Sequence, residues 1–165
     1  MSGYAQVLRE SGITSYRGAE RHWIYEGDSG KSQRMLLRQG MRLLDSYVQL
    51  SADSVTRWRD VPQPDGLCNI PSSRILRPYS KRLAPLEPLR LKRILDVIGK
   101  AARANSIVHL NWRLHDFGVN LEENLRVLRS ILECYARQRD SHGMRALSMS
   151  EVVEALRGKA VATHV

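Results

Sequence analysis

Cysteine is nearly absent: the chain holds two, Cys68 and Cys134, far apart and on different predicted elements. That excludes a disulfide-stapled scaffold, and no Cys/His spacing matches a zinc site. Both cysteines read as buried thiols. Long apolar runs are missing too, whereas a membrane-spanning helix needs about 20 consecutive apolar residues. The N-terminal Met1-Ser2-Gly3-Tyr4 carries neither the basic region nor the apolar stretch of a signal peptide, so the sequence predicts a cytoplasmic protein. Aromatics are sparse, with a single phenylalanine. No aromatic-rich strand of the base-stacking kind, no zinc finger and no basic zipper appears.

What is present is 42% hydrophobic residues in 165, enough for one domain with a buried core, and a net charge of +9. The charge suits an anionic partner, whether nucleic acid, an acidic glycan or a phosphate-bearing lipid. The arginines are spread over nearly every segment, which argues against a dedicated nucleic-acid binder.

In order, Tyr4–Ser11 reads as a short amphipathic helix with Val7 and Leu8 on its apolar side, ended by Gly12. Ile13–Tyr16 reads as a strand. A protein that begins one helix before a strand suggests missing sequence. From Ser29 to Leu50, Met35, Leu36, Leu43, Leu44, Tyr47 and Val48 recur at helical spacing. Asp53–Asp65 reads as a surface connection, Leu67–Ile70 as a strand closed by Pro71, and Ser72–Pro88 as a solvated loop, the alternative being an anion-binding one. Pro88 opens a helix with Leu91, Ile94, Leu95, Ile98 and Ala102 on its apolar face and Asn105 as a left-handed cap. Asn120 with Glu123 reads as a capping box, followed by a helix through Leu121, Leu125, Leu128, Leu132 and Tyr135 to Gly143. Met144–Leu147 reads as a last strand, and Ser148 with Glu151 as a second capping box opening a helix to about Leu156. His142 and His164 look like surface residues.

The most informative stretch is Ile107–Gly118, where an apolar, β-branched opening runs into His109, Trp112, Arg113, His115 and Asp116. That is the pattern of a buried strand whose C-terminal end opens into a site. The tally of four short strands alternating with helices predicts an α/β fold with a parallel sheet covered by helices.

His109-Leu110-Asn111-Trp112-Arg113-Leu114-His115-Asp116-Phe117-Gly118, Asn120-Leu121-Glu122-Glu123-Asn124-Leu125 and Gly143-Met144-Arg145-Ala146-Leu147-Ser148-Met149-Ser150-Glu151 resemble the C-terminal end of bacterial polysaccharide deacetylases of the NodB-homology type. Upstream, Leu8–Gly18 resembles that family's arginine motif, and Gly66–Ser73 its following strand. The match covers most of this chain but only the C-terminal half of the family pattern. It implies a partial (β/α) barrel over residues 1–157, with 158–165 a frayed tail.

Members of that family release acetate from an N-acetylated sugar of a polysaccharide, using a divalent metal, an aspartate base and a histidine acid. The metal and base motifs belong to the half not represented here, so the resemblance implies no metal ligand and no cofactor in this chain. It assigns Arg17 the role of orienting the base, although Ala19-Glu20-Arg21 stands where a proline is expected. It places Arg113-Leu114 where this subtype carries His-Pro, so an arginine, which releases no proton near neutral pH, occupies the place of the acid. His109 and His115 keep their frame and are the remaining catalytic candidates; the alternative is a packed strand histidine and a loop histidine. Trp23, Trp112 and Arg113 are the substrate-binding candidates, with His22-Trp23 a sugar-stacking surface or plain packing.

A half barrel leaves strand edges unpaired and would expose Ile107, Leu110 and Leu147. The sequence thus predicts a carbohydrate-related protein, inactive as a hydrolase on its own, that forms a homo-oligomer or joins a separate N-terminal half. The alternatives are a non-catalytic glycan-binding or assembly protein, or a basic binder of nucleic acid or anionic lipid. A further possibility is that the helices fold over the sheet into a layered domain that needs no partner.

Overall fold

The computed structural model describes residues 3–18 and 55–162. The predicted helix from Ser29 to Leu50, together with His22 and Trp23, lies outside the described residues. Helix α1 (Gly3–Glu10) ends as predicted at Gly12, whose φ of 76° suits only a residue without a Cβ and lets the Ile13 amide reach back to the Leu8 carbonyl. Its buried side is not the predicted one. Ala5 is buried and Leu8 half-buried, whereas Val7 is 60% exposed.

Strand β1 (Ser15–Tyr16) runs parallel to β2 (Cys68–Asn69), and β3 (Arg74–Ile75) runs parallel to β4 (Leu110–Asn111). Residues 68–76 thus serve two neighbours in turn. The amides of Cys68, Ile70 and Ser72 donate to Thr14, Tyr16 and Gly18 on one side. Those of Ser73 and Leu76 donate to His109 and Asn111. Strand β2 ends before Pro71, as expected, although the Ser72 amide still bonds to the β1 side; the amides facing β1 belong to residues 68, 70 and 72, so the missing N–H of Pro71 removes no bond there. The other edge of β2 is covered by Val61 and Pro62, the Asn69 amide donating to the Val61 carbonyl at 2.8 Å.

The amides of Ser73 and Arg74 share one acceptor, the His109 carbonyl, at 2.8 and 3.3 Å. Two residues opposite one is the arrangement of a bulge, and it shifts the side-chain alternation by one place. Ile70 therefore packs with Val61 and Val152, while Leu76, an even number of residues on, packs with Ile94, Ile98, Ile131 and Cys134 on the other face. The stretches expected to be surface loops are interior in part: Thr56, Val61, Ser72, Ser73, Arg74 and Leu76 are all buried.

Helix α2 (Glu87–Arg103) begins with Pro88 in its first turn and ends before Asn105, which is left-handed at φ 46° as predicted. Its buried Arg90 pairs with the buried Glu87 one turn earlier and donates to the Arg77 carbonyl at 2.7 Å. Helix α3 (Leu121–His142) packs against α2 and ends at Gly143 with φ 65°. The expected core stripe of Leu121, Leu125, Leu128, Leu132 and Tyr135 is not the face it buries. Asn124, Ile131 and Cys134 are buried and Val127 is packed against the core, while Leu121, Leu125 and Leu132 are about half exposed. The rotation of α3 follows from Asn124, fully buried, whose Oδ1 accepts the Tyr79 amide and whose Nδ2 donates to the Val119 carbonyl, both at 2.7 Å. Asn120 is left-handed and caps nothing with its side chain; it donates instead to the Tyr79 carbonyl at 3.2 Å.

Met144–Leu147 forms no ladder, and its Ala146 amide is taken up by the Tyr135 hydroxyl at 3.1 Å. Helix α4 (Met149–Ala162) opens on the predicted capping box: the Ser148 amide donates to Glu151 Oε2 at 2.6 Å and the Glu151 amide to Ser148 Oγ at 3.3 Å. The helix continues past Gly158 to Ala162, into the segment expected to fray. Val152 and Leu156 bring α4 over Ile107, Leu147 and Ile70, so the face of Ile107 and Leu147 is covered from within, while Leu110 faces the opposite cluster. The α/β class holds: two short parallel pairs, with helices on both faces.

Two outcomes follow for stability. Asn124→Leu removes the partners of two backbone groups, each worth about 1–3 kcal/mol when left unmet, so urea unfolding should register a loss of about 2–6 kcal/mol. The Ser148 amide, and then its hydroxyl, hold the Glu151 carboxyl below the usual range. A carboxyl depressed in the fold stabilises above its unfolded pKa, and that contribution fades as pH falls through the folded value. The gap in urea midpoint between the native chain and Glu151→Ala should therefore be steady near neutral pH and narrow in acid.

Candidate functional site

The C-terminal ends of parallel strands gather loops and backbone groups on one side of a sheet, which is where such sheets carry their sites. Here that edge receives Arg17 from the end of β1, Asn111 from β4 and the turn Arg113–Gly118 that follows it. The Arg17 guanidinium Nη1 donates to Asn111 Oδ1 at 2.8 Å. An exposed side chain from the first strand thus reaches the last one across the shared middle segment. The acceptor is a neutral amide rather than a carboxylate, so the contact holds the guanidinium without neutralising it. Among the described residues its other N–H groups make no hydrogen bond and can serve a hydroxyl or an anion.

His109 immediately precedes β4, and its carbonyl accepts the Ser73 and Arg74 amides. Its Nδ1 lies 3.3 Å from the Ile70 carbonyl, which accepts only, so Nδ1 is the donor of that contact. Its amide donates to Ser73 Oγ at 3.1 Å. The half-buried imidazole borders a cavity of about 320 Å³ lined mainly by apolar groups, among them Leu110, Met144, Leu147 and Val152, with Tyr135 also on its wall. A wall of that kind accepts alkyl or methyl groups and offers little to a ring of sugar hydroxyls.

The other candidates are placed differently. Trp112 points to the opposite face, against the cluster of Leu76, Ile94 and Ile131, with its ring centroid 4.0 Å from that of Phe117. Its indole N–H is buried without a hydrogen-bond partner among the described residues. Arg113 and His115 are exposed on the turn after β4. Trp23 lies outside the described residues. Among those residues no group of three or more His, Cys, Asp or Glu side chains could hold a metal ion. Cys134 is buried and Cys68 half-buried; burial raises the Cys68 thiol above its ordinary range, against the opposing pull of Arg157, so it is a poor nucleophile at neutral pH.

Three residues at this edge escape a sequence reading. Asn111 stands where the resembling subtype has tryptophan, and that departure is its one signal. Asn69 ends β2 with a side-chain oxygen that is buried and unbonded among the described residues. That oxygen occupies the place where a Cβ on Gly18 would stand. Gly18 is needed for this close approach and not for an unusual backbone angle. Comparison with protein-family models, curated proteins and solved structures finds no match for the chain.

Gly18→Ala should displace the Asn69 side chain and cost about 1–3 kcal/mol, as forced overpacking does. Because the clash is with one side chain, Gly18→Ala in an Asn69→Ala background should cost well under half as much. A double-mutant cycle in urea checks this, and equal costs in both backgrounds would mean that the glycine answers to something else.

Proposed function

We propose that this chain is a partial polysaccharide-deacetylase-like domain that binds an N-acetylated glycan at the strand ends and does not hydrolyse it alone. The observation that carries the reading is the reach of Arg17 to Asn111. The three segments that carry the family resemblance, around Arg17, Cys68 and His109, lie side by side in parallel and in sequence order, as consecutive strands of a partial (β/α) barrel would. At their C-terminal ends, a guanidinium held by Asn111, with N–H groups unbonded among the described residues, suits the hydroxyl and amide oxygens of a glycan, and the exposed Arg113 and His115 widen that surface.

For hydrolysis, a divalent metal would polarise the amide carbonyl and activate water, with a base beside it. The resemblance assigns those ligands and that base to a half not represented in this chain, and Arg113 cannot supply the leaving amine with a proton. What the chain's own residues do is bind and orient. Nucleic-acid binding is the weaker reading of the +9 charge, because Arg74, Arg90 and Arg93 are buried and unavailable to phosphates.

Nuclear magnetic resonance titration with N-acetylglucosamine oligomers tests this. Side-chain signals of Arg17 and Asn111 should shift, and Asn111→Leu should weaken binding about tenfold, the loss of roughly one hydrogen bond to the binding arginine. Incubation with the same oligomers and added zinc or cobalt should release no acetate. Unmoved Arg17 and Asn111 signals would overturn the binding site, and acetate release by the chain alone would overturn the non-hydrolytic part.

A further inference from the structure

Helix α3 has two apolar faces. One is buried in the chain's own core through Val127, Ile131 and Cys134. The other carries Leu121, Leu125, Leu128 and Leu132, spaced four, three and four residues apart; Leu121, Leu125 and Leu132 are 50%, 47% and 55% exposed. Val119, just before the helix, is exposed as well. Alternating spacings of four and three make the narrow seam by which two helices supercoil, rather than the broad stripe of a helix resting on a sheet. A helix that has already buried one face has no packing reason of its own to keep a second, and a contiguous apolar row at the surface marks a contact.

We propose that this seam pairs α3 with α3 of a second copy of the chain, running antiparallel. Charge beside the seam selects both the partner and the direction. Glu122 and Arg129 stand next to the leucines on the same flank, one helical repeat of seven residues apart, and both are exposed. Each is four residues from an opposite charge on its own helix, Arg126 and Glu133 respectively. Neither forms an ion pair with those neighbours or with any other described residue. In an antiparallel pair that stacks Leu121 on Leu132 of the other copy and Leu125 on Leu128, Glu122 falls beside Arg129 of the other copy. The two-fold axis repeats that contact, as a self-complementary interface requires.

A parallel pair in register brings no such match. It sets Glu122 and Arg129 against the opposite flank of the other copy, Asn124 and Ile131, which is spent inside the fold. Exposed ion pairs add little affinity, so the leucines supply the attraction and the charges set the orientation. This contact uses none of the strand edges and none of the strand-end surface around Arg17.

Sedimentation equilibrium and light scattering on the full chain across a micromolar concentration series test the proposal. The expected species is a dimer of twice the 18.8 kDa chain mass. Leu125→Glu should give a monomer with an unchanged circular dichroism spectrum, and Leu132→Gln, a milder change at an exposed site, should raise the dissociation constant at least about tenfold. Glu122→Arg and Arg129→Glu should each weaken the dimer about fivefold by setting like charges together. The double variant Glu122→Arg/Arg129→Glu should return to within about twofold of the native chain. A native chain that stays monomeric throughout, or a dimer indifferent to Leu125→Glu and Leu132→Gln, overturns the interface. Failure of the double variant to recover overturns the antiparallel arrangement.

Discussion

Asn124 decides how the largest helix sits. Buried to zero exposure, its amide must find partners, and it finds them in the Tyr79 amide and the Val119 carbonyl, which belong to the segments on either side of the helix's first turn. A helix free to rotate would turn its leucine row toward α2, because four leucines outweigh Val127, Ile131 and Cys134 in apolar area. Turning it would pull Asn124 off both backbone groups and leave three polar groups unmet in a low-dielectric interior. A single side chain thereby commits one apolar face to the core and the other to the outside. The Asn120 side chain on the Tyr79 carbonyl reinforces the same junction.

The sheet is equally dependent on one stretch. Residues 68–76 bond to β1 with their first half and to β4 with their second, and the strand ends around Arg17 and Asn111 are neighbours only because that stretch lies between them. The packing of Gly18 under Asn69 belongs to the same requirement: β1 and β2 close up where a side chain on residue 18 would hold them apart.

Much of this was legible in the sequence where local chemistry decides the outcome. Gly12, Asn105 and Gly143 end their helices because a left-handed residue turns its own and the following amide back to donate to carbonyls of the last turn, Pro88 starts one because it needs no amide, and Ser148 with Glu151 is a local reciprocal bond. What was not legible depends on contacts distant in sequence. The leucine stripe of α3 recurs at helical spacing, and periodicity identifies an apolar face without saying what covers it. The prolines and arginines of residues 72–88 predict a solvated loop, yet Arg74 is buried on β3 beside β4, an arrangement that only the fold supplies. At the strand ends, Arg17 could be picked out from its motif, whereas its acceptor Asn111 could not, since a lone asparagine in a strand carries no chemical signature.

The bulge at Ser73 and Arg74 has a consequence for how the chain comes apart. Ile70 belongs to the cluster under α4, and Leu76 to the cluster under α2 and α3, with only five residues of chain between them. Neither cluster can be solvated while the other stays intact without that segment being torn from one of its two hydrogen-bonded neighbours. The two cores thus behave as one cooperative unit, melting together, and local opening is left to α1 and the last turn of α4.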